Sequence, residues 1–440
     1  MPAASQTLRP AFRLLEQEAR ALLTRLNRVK PFALQETMVA AAAIPQAAQT
    51  AIEQYLIAGR NRVRVRILEF LRWLASPAGA VATASQAQRK FTMLRLHFNA
   101  SLSQFDIFSV ALTQRSESET GVWLAGLDVA AADALRVAGR YYETPPVICY
   151  LERGHGAAIR RARTRLPGGG ENPVAVIRVP RERMIGSGVA SSLFHEVGHQ
   201  GAALIDLVES LRPVLKKRQQ NAGVEKTAWA YWERCISEIV ADFWSVARLG
   251  ITSTLGLMGV VALPSYFVFR MSLDDPHPMP WIRVKLSCAI GRALYPHKQW
   301  GDLERVWHEL YPPTRLDQER QRLIELFERT MPQLASLIAS HRPQKLRGAS
   351  LAEVLGTRAR SPEKLAAYFR QWRASPTRMR IAPPSLVFAA VGQARADGVI
   401  SPEEESRTLR MMLKHWALGS ALGNSAICAS YSTVARPSNQ

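Results

Sequence analysis

Cysteine is scarce in this chain. Its four residues in 440, Cys149, Cys235, Cys288 and Cys428, lie far apart with no CxxC pair. That excludes a zinc knuckle and argues against a disulfide framework, so a reducing compartment such as the cytoplasm is expected. Acidic residues are also short. With 57 Lys+Arg against 36 Asp+Glu the formal net charge is +21, which favours an anionic partner such as nucleic acid, a phospholipid surface or acidic polypeptide. The basic runs "RNRVRVR" (60–66) and "AIRRARTR" (158–165), with Arg160, Arg161, Arg163 and Arg165, lack interleaved aromatics. They read as solvated faces, and with no helix-turn-helix or RNA-binding motif, specific nucleic-acid binding is not supported. "LPGGGEN" has no Gly-Lys-Ser/Thr ending, which removes a phosphate loop. "ARADGVISPEEE" places Gln393 and Arg395 where a calcium loop needs carboxylates, so calcium is not expected.

Long apolar runs are rare too. The N-terminus mixes Arg and Glu through its leucines and reads as an amphipathic helix, not a secretory signal. Residues 249–269 carry no charge and are long enough to cross a bilayer, but contain three glycines, several hydroxyls and Pro264. A buried hairpin or core helix is expected there, with a membrane span as the alternative.

What remains is a globular chain, 47% hydrophobic and 21% charged. The expected class is α+β, mainly helical, with a small sheet and helical N-terminal and C-terminal regions. Leucines at helical spacing predict a helical N-terminal region over 1–100, a core over 101–342, and a helical C-terminal accessory region over 343–440 ending in a loose tail. Within the core, "FDIFSVAL" (105–112) and "VWLAGLDV" (122–129) suggest paired strands, as do "PPVICYL" (145–151) and "PVAVIRVP" (173–180). The last of these stands directly ahead of a helix starting near Ser187 or Ser191. That helix is expected to run to about Leu211, with Pro213 kinking or ending it. A second helix is predicted over 227–249, and "VAVIRV" is a candidate edge for pairing with an extended peptide.

The chemistry lies in "SSLFHEVGHQG" (191–201). At i and i+4 on a helix, His195 and His199 project from one face and can present two imidazole nitrogens to one point, as zinc requires. Glu196, about 100 degrees around the helix, is placed to act as a general base without being a ligand. Gly198 inside the helix, at a cost of about 1 kcal/mol relative to Ala, makes sense if another backbone or the substrate passes close by. Catalytic zinc takes three protein ligands, and "SEIVAD" places Glu238 and Asp242 on one helical face. Glu238 is the candidate third ligand, and Asp242 the hydrogen-bond partner of a ligating histidine. His97, His155, His297, His308, His341 and His415 lack ligand spacing.

HExxH followed by a helical ExxxD resembles the gluzincin zinc metallopeptidases, and HExGH with ExxAD is similar to the CAAX prenyl protease and its bacterial HtpX-type relatives. "DDPHPMPWIR" adds a His-Pro turn and an arginine, His277, Pro278 and Arg283, in that family's order. The resemblance covers roughly 170–295. It implies a zinc (Zn2+) metalloendopeptidase acting on polypeptide, with His195, His199 and Glu238 as ligands, Glu196 as base, and His277 stabilising the oxyanion. Tyr266 is a second oxyanion candidate, and Arg283 a substrate or oxyanion candidate. The chain departs from the family in lacking paired membrane helices beside the motif. Two alternatives are an inactive zincin scaffold that binds an anionic partner, and a membrane-embedded protease. "ADGVISPEE" looks like the interhelical turn of TerB-like domains.

Overall fold

The computed structural model describes residues 9–434 apart from 155, 167, 168, 182–185 and 273. His155, part of the Gly-rich turn and the end of the expected tail lie outside the described residues; 431–434 of that tail are helical.

The chain is mainly helical around one small sheet. The N-terminal helices are α1 (Pro10–Arg28), α2 (Gln46–Leu74), α3 (Pro77–Val81), α4 (Ala84–Thr113) and α5 (Ser118–Leu135). α1 buries Phe12, Leu15, Ala19, Leu22 and Leu26 at helical spacing, so its apolar stripe faces α2 and α4. "FDIFSVAL" and "VWLAGLDV" are therefore helical, not strands. Phe105, Phe108, Ala111 and Leu112 are buried at three-to-four-residue spacing, continuing a helix that begins at a Thr83/Gln86 capping box. The polar link supplies only a 3-10 turn over Gln114–Ser116.

Strands β1 (Val147–Glu152), β2 (Ala158–Arg160) and β3 (Ala175–Pro180) form a sheet of order β1-β3-β2, with β1 parallel and β2 antiparallel to β3. Both its faces are covered, which explains why β1 and β3 read as near-continuous apolar runs. Cys149, Ile177 and Val179 face α5 and the HEVGH helix, whereas Ile148, Val174 and Val176 face Tyr55, Leu56, Phe105 and Phe108 of α2 and α4. β3 is central and paired on both sides, so it is not the edge suggested from chain order. The outer edge of β1 is met by side chains: Cys149 N–H donates to Asp128 (2.7 Å), Leu151 N–H donates to Gln114 (2.8 Å), and Arg115 donates to the Cys149 carbonyl (2.6 Å). That leaves β2 as the open edge among the described residues.

After the sheet come α6 (Gly188–Leu204), α7 (Leu207–Gln220), α8 (Lys226–Arg234) and α9 (Ile236–Leu249). The break expected at Pro213 occurs earlier, where Asp206 adopts φ +50, a conformation Asp tolerates better than most residues; Pro213 lies inside α7. The helix predicted over 227–249 is likewise two, broken at Cys235. The uncharged stretch forms α10 (Ile251–Val261) and α11 (Ser265–Val268), separated by Pro264. Among the described residues no helix is long and apolar enough to cross a membrane. α10 is core. Its hydroxyls bridge helices, Ser253 to Ser245 (2.7 Å) and Thr254 to Ser287 (2.7 Å), which explains a run that is uncharged yet only moderately apolar.

α12 (Pro280–Leu294), α13 (Gln299–Leu310) and α14 (Gln318–Ser340) complete the centre. Beyond them lie α15 (Leu351–Val354), α16 (Pro362–Ala374), α17 (Pro376–Ile381), α18 (Pro384–Ala396) and α19 (Pro402–Val434). α18 and α19 share one apolar cluster with α5, the sheet and α6, where Phe194 meets Phe388 edge-on at 6.2 Å.

Candidate metal centre

The site stands where α6 and α9 lie against each other, and glycine sets their separation. A Cβ on Gly198 would come within 2.8 Å of Ala241 Cα, and one on Gly201 within 2.4 Å of the Trp244 ring. The glycine inside HEVGH thus admits the backbone of α9. Leu193, Phe194 and Val197 are fully buried and anchor α6, each worth roughly 1.5–3 kcal/mol of apolar burial.

This contact carries the α6 histidines to the α9 carboxylates. Glu238 Oε2 lies 3.2 Å from His195 Nε2 and 3.2 Å from His199 Nε2. The donor atoms of these three residues all lie within 4.8 Å of one another, and they form the one such group found among the described residues. Two zinc bonds of about 2.0–2.1 Å meeting at a tetrahedral angle separate their ligand atoms by about 3.3 Å, so the spacing suits a small divalent ion.

The surrounding charges fit such an ion. Glu196, Glu238 and Asp242 are three buried carboxylates, and the guanidinium among them is Arg283. Carboxylates thus outnumber the guanidinium at the cluster, which favours a bound cation. Burial alone would raise the Glu238 pKa, but hydrogen bonds from His195, His199 and His277 hold its carboxyl well below the usual range. Burial likewise opposes ionisation of Asp242, and Arg283 and His195 overcome it, so that carboxyl also stays ionised. An ionised carboxylate only accepts. The 2.7 Å contact to Asp242 Oδ1 therefore places a proton on His195 Nδ1 and turns Nε2 towards the centre. Burial depresses the His195 imidazolium, but Asp242 and Glu238 outweigh it and lift its pKa to about 9.

Arg283 on α12 grips Asp242 from the far side, Nε to Oδ2 at 2.7 Å and Nη2 to Oδ1 at 2.8 Å. Expected near substrate, its guanidinium is committed to Asp242 and is nearly buried. His277 Nε2 approaches Glu238 Oε2 at 3.0 Å, while its Nδ1 and backbone N–H both engage Asp275 Oδ1, at 2.7 and 2.9 Å. Its ring stands farther out. The His277 centroid is 6.2 Å from that of His195, against 4.8 Å between His195 and His199. The His-Pro turn is braced by the Tyr231 hydroxyl, which accepts from Met279 N–H at 2.7 Å. Tyr266 is 74% exposed on α11 and its ring contact is with Phe267; among the described residues no hydrogen bond or ring contact joins it to the cluster.

Asp275, Tyr231 and Gln200 were not singled out in the sequence. The Asp two residues before His277 is an Asx-turn signal that could have been noticed. Nothing in the spacing marks Tyr231. Gln200, beside His199, accepts from Ala162 N–H at 2.8 Å and ties the end of β2 to the HEVGH helix. Arg160, Arg161, Arg163 and Arg165 are exposed, as are Arg62, Arg64 and Arg66.

Comparison of the chain with protein-family models, curated proteins and solved structures found no match.

Proposed function

We propose that this protein is a zinc-dependent metallopeptidase whose ion is held by His195, His199 and Glu238, and which acts on extended polypeptide. The observation that carries this reading is the convergence of both HEVGH imidazoles on one buried carboxylate, with Asp242 behind His195. A zinc ion held by His195, His199 and Glu238 would supply Lewis acidity, polarising a scissile carbonyl and acidifying a water. Glu196 would act as the general base, taking a proton from water and returning it to the leaving amine. Asp242 and Arg283 fix the tautomer and orientation of His195. His277, the most exposed of the three histidines, would donate to an oxyanion through Nε2 on turning from Glu238, with its Nδ1 kept on Asp275. The open edge of β2, tied to α6 through Gln200, offers main-chain pairing to an extended substrate beside the site. The excess of positive charge favours acidic segments near the cleaved bond.

The test is metal stoichiometry by elemental analysis combined with peptide cleavage. About one zinc per chain is expected, lost in His199→Ala and Glu238→Ala. Glu196→Gln should keep its zinc and lose roughly 10²–10⁴-fold in turnover. Undiminished cleavage by Glu196→Gln would remove the mechanism.

A second reading comes from the 3.0 Å approach of His277 to Glu238, which could close the site with a fourth ligand and make it structural. His277→Ala separates the two. Retained zinc with slowed turnover fits the oxyanion role, whereas a large loss of zinc affinity fits the closed site.

A further inference from the structure

Between α11 and α14 lies a cavity of about 630 Å³ that includes none of the candidate metal ligands in its walls. Its size is within the roughly 300–1,000 Å³ of small-molecule clefts. Phe269, Leu323, Ile324 and Phe327 form its walls, with Met271 and Met279 from the segment around the His-Pro turn. Polar groups come from Ser265 and Tyr266 and from two exposed arginines, Arg270 and Arg320. Arg320 shares Asp317 at 3.3 Å, whereas no carboxylate among the described residues pairs with Arg270. Of the apolar wall residues, Met271 is 42% exposed and Leu310 59%, so the cavity opens to solvent across apolar side chains.

From this combination we infer that the cavity binds a single long aliphatic chain bearing an anionic head, such as a long-chain carboxylate or one acyl chain of an anionic lipid. A peptide would bring amide N–H and C=O groups whose desolvation needs partners, and these walls supply few. An unbranched hydrocarbon chain needs none. The methionines and leucines adapt to a flexible chain, and the arginines meet its head group at the rim. The site is separate from the metal-centre reading and stands whether or not the protein is a peptidase.

The experiment is a titration of the purified full chain with an intrinsically fluorescent eighteen-carbon carboxylic acid below its micelle concentration. Parallel arms use a fluorescent phospholipid presented in anionic and in zwitterionic vesicles. Saturable binding near one per chain is expected, at least about tenfold weaker in Ile324→Trp, which fills the cavity, and weakened and less salt-sensitive in Arg270→Ala. Because Arg270 is exposed, that variant should not disturb folding, and an unchanged thermal unfolding transition checks both. Transfer of the free acid identifies a soluble carboxylate as the source, and extraction of labelled lipid from anionic vesicles alone identifies a membrane. The inference is overturned if neither probe binds, if both variants bind like the parent chain, or if an apolar peptide displaces the acid more effectively than unlabelled acid does.

Discussion

Asp242 serves two cationic partners, one oxygen meeting His195 at 2.7 Å while both meet the Arg283 guanidinium. Its isosteric change to Asn keeps the shape but offers an amide where the imidazole needs an acceptor. Asp242→Asn is expected to weaken zinc binding by about 10–100-fold, measured by competition with a chelator. Equal affinity would mean that the contact does not orient His195. At this scale much of the site could be read in advance. The convergence of His195 and His199 follows from helical spacing, and that of Glu238 and Asp242 from the same rule applied downstream. What spacing could not reveal was the direction of each side chain. Arg283 and Tyr266 stood in the right part of the sequence, yet one faces Asp242 and the other faces solvent.

Among elements, the decisive contact is α6 on α9. Gly198→Ala would gain about 1 kcal/mol of helix propensity in isolation. Here its Cβ would press to 2.9 Å on the Ala241 carbonyl oxygen, so the helices must separate at a cost of about 1–3 kcal/mol, and the histidines retreat from Glu238. Denaturant unfolding should show the loss, and elemental analysis should show reduced zinc; a variant at least as stable with full zinc would contradict the close-approach account. The glycine was legible as an anomaly, and its cause only in three dimensions. Helix interruptions were harder: Pro213 advertises a break and is accommodated, whereas the breaks at Asp206 and Cys235 carry no strong local signal. The apolar runs at 105–112 and 122–129 also suit a strand, and only the packing around them makes them helices.

For the molecule as a whole, the apolar back of α6 is covered from both directions along the chain. α5 lies close enough to α19 that a Cβ on Gly126 would reach 2.5 Å from the Leu413 carbonyl oxygen. Trp244 Nε1 and Arg248 Nε both donate to the Ala134 carbonyl, and Arg360 donates to the Arg248 carbonyl at 2.6 Å. A chain ending at residue 342 would uncover Leu193, Phe194 and Val197 where Val387, Phe388 and Trp416 now lie. At roughly 1.5–3 kcal/mol for each large side chain, that loss is comparable with the total stability of a typical domain. Such a chain should give no cooperative melt and hold no zinc; a sharp transition with bound metal would show that the metal centre folds alone. Such long-range closure has no periodicity and no motif, so the sequence is silent about it.

That closure sets a timetable for synthesis. At about 5–20 residues per second, α6 leaves the ribosome roughly 10–40 s before α19 begins to appear. For most of that interval α5, the sheet and α9 are available to α6, but the part of its apolar back that α18 and α19 cover stays open. A chain at that stage exposes apolar surface that the finished fold hides, which is the kind of surface that aggregates or is taken up by chaperones.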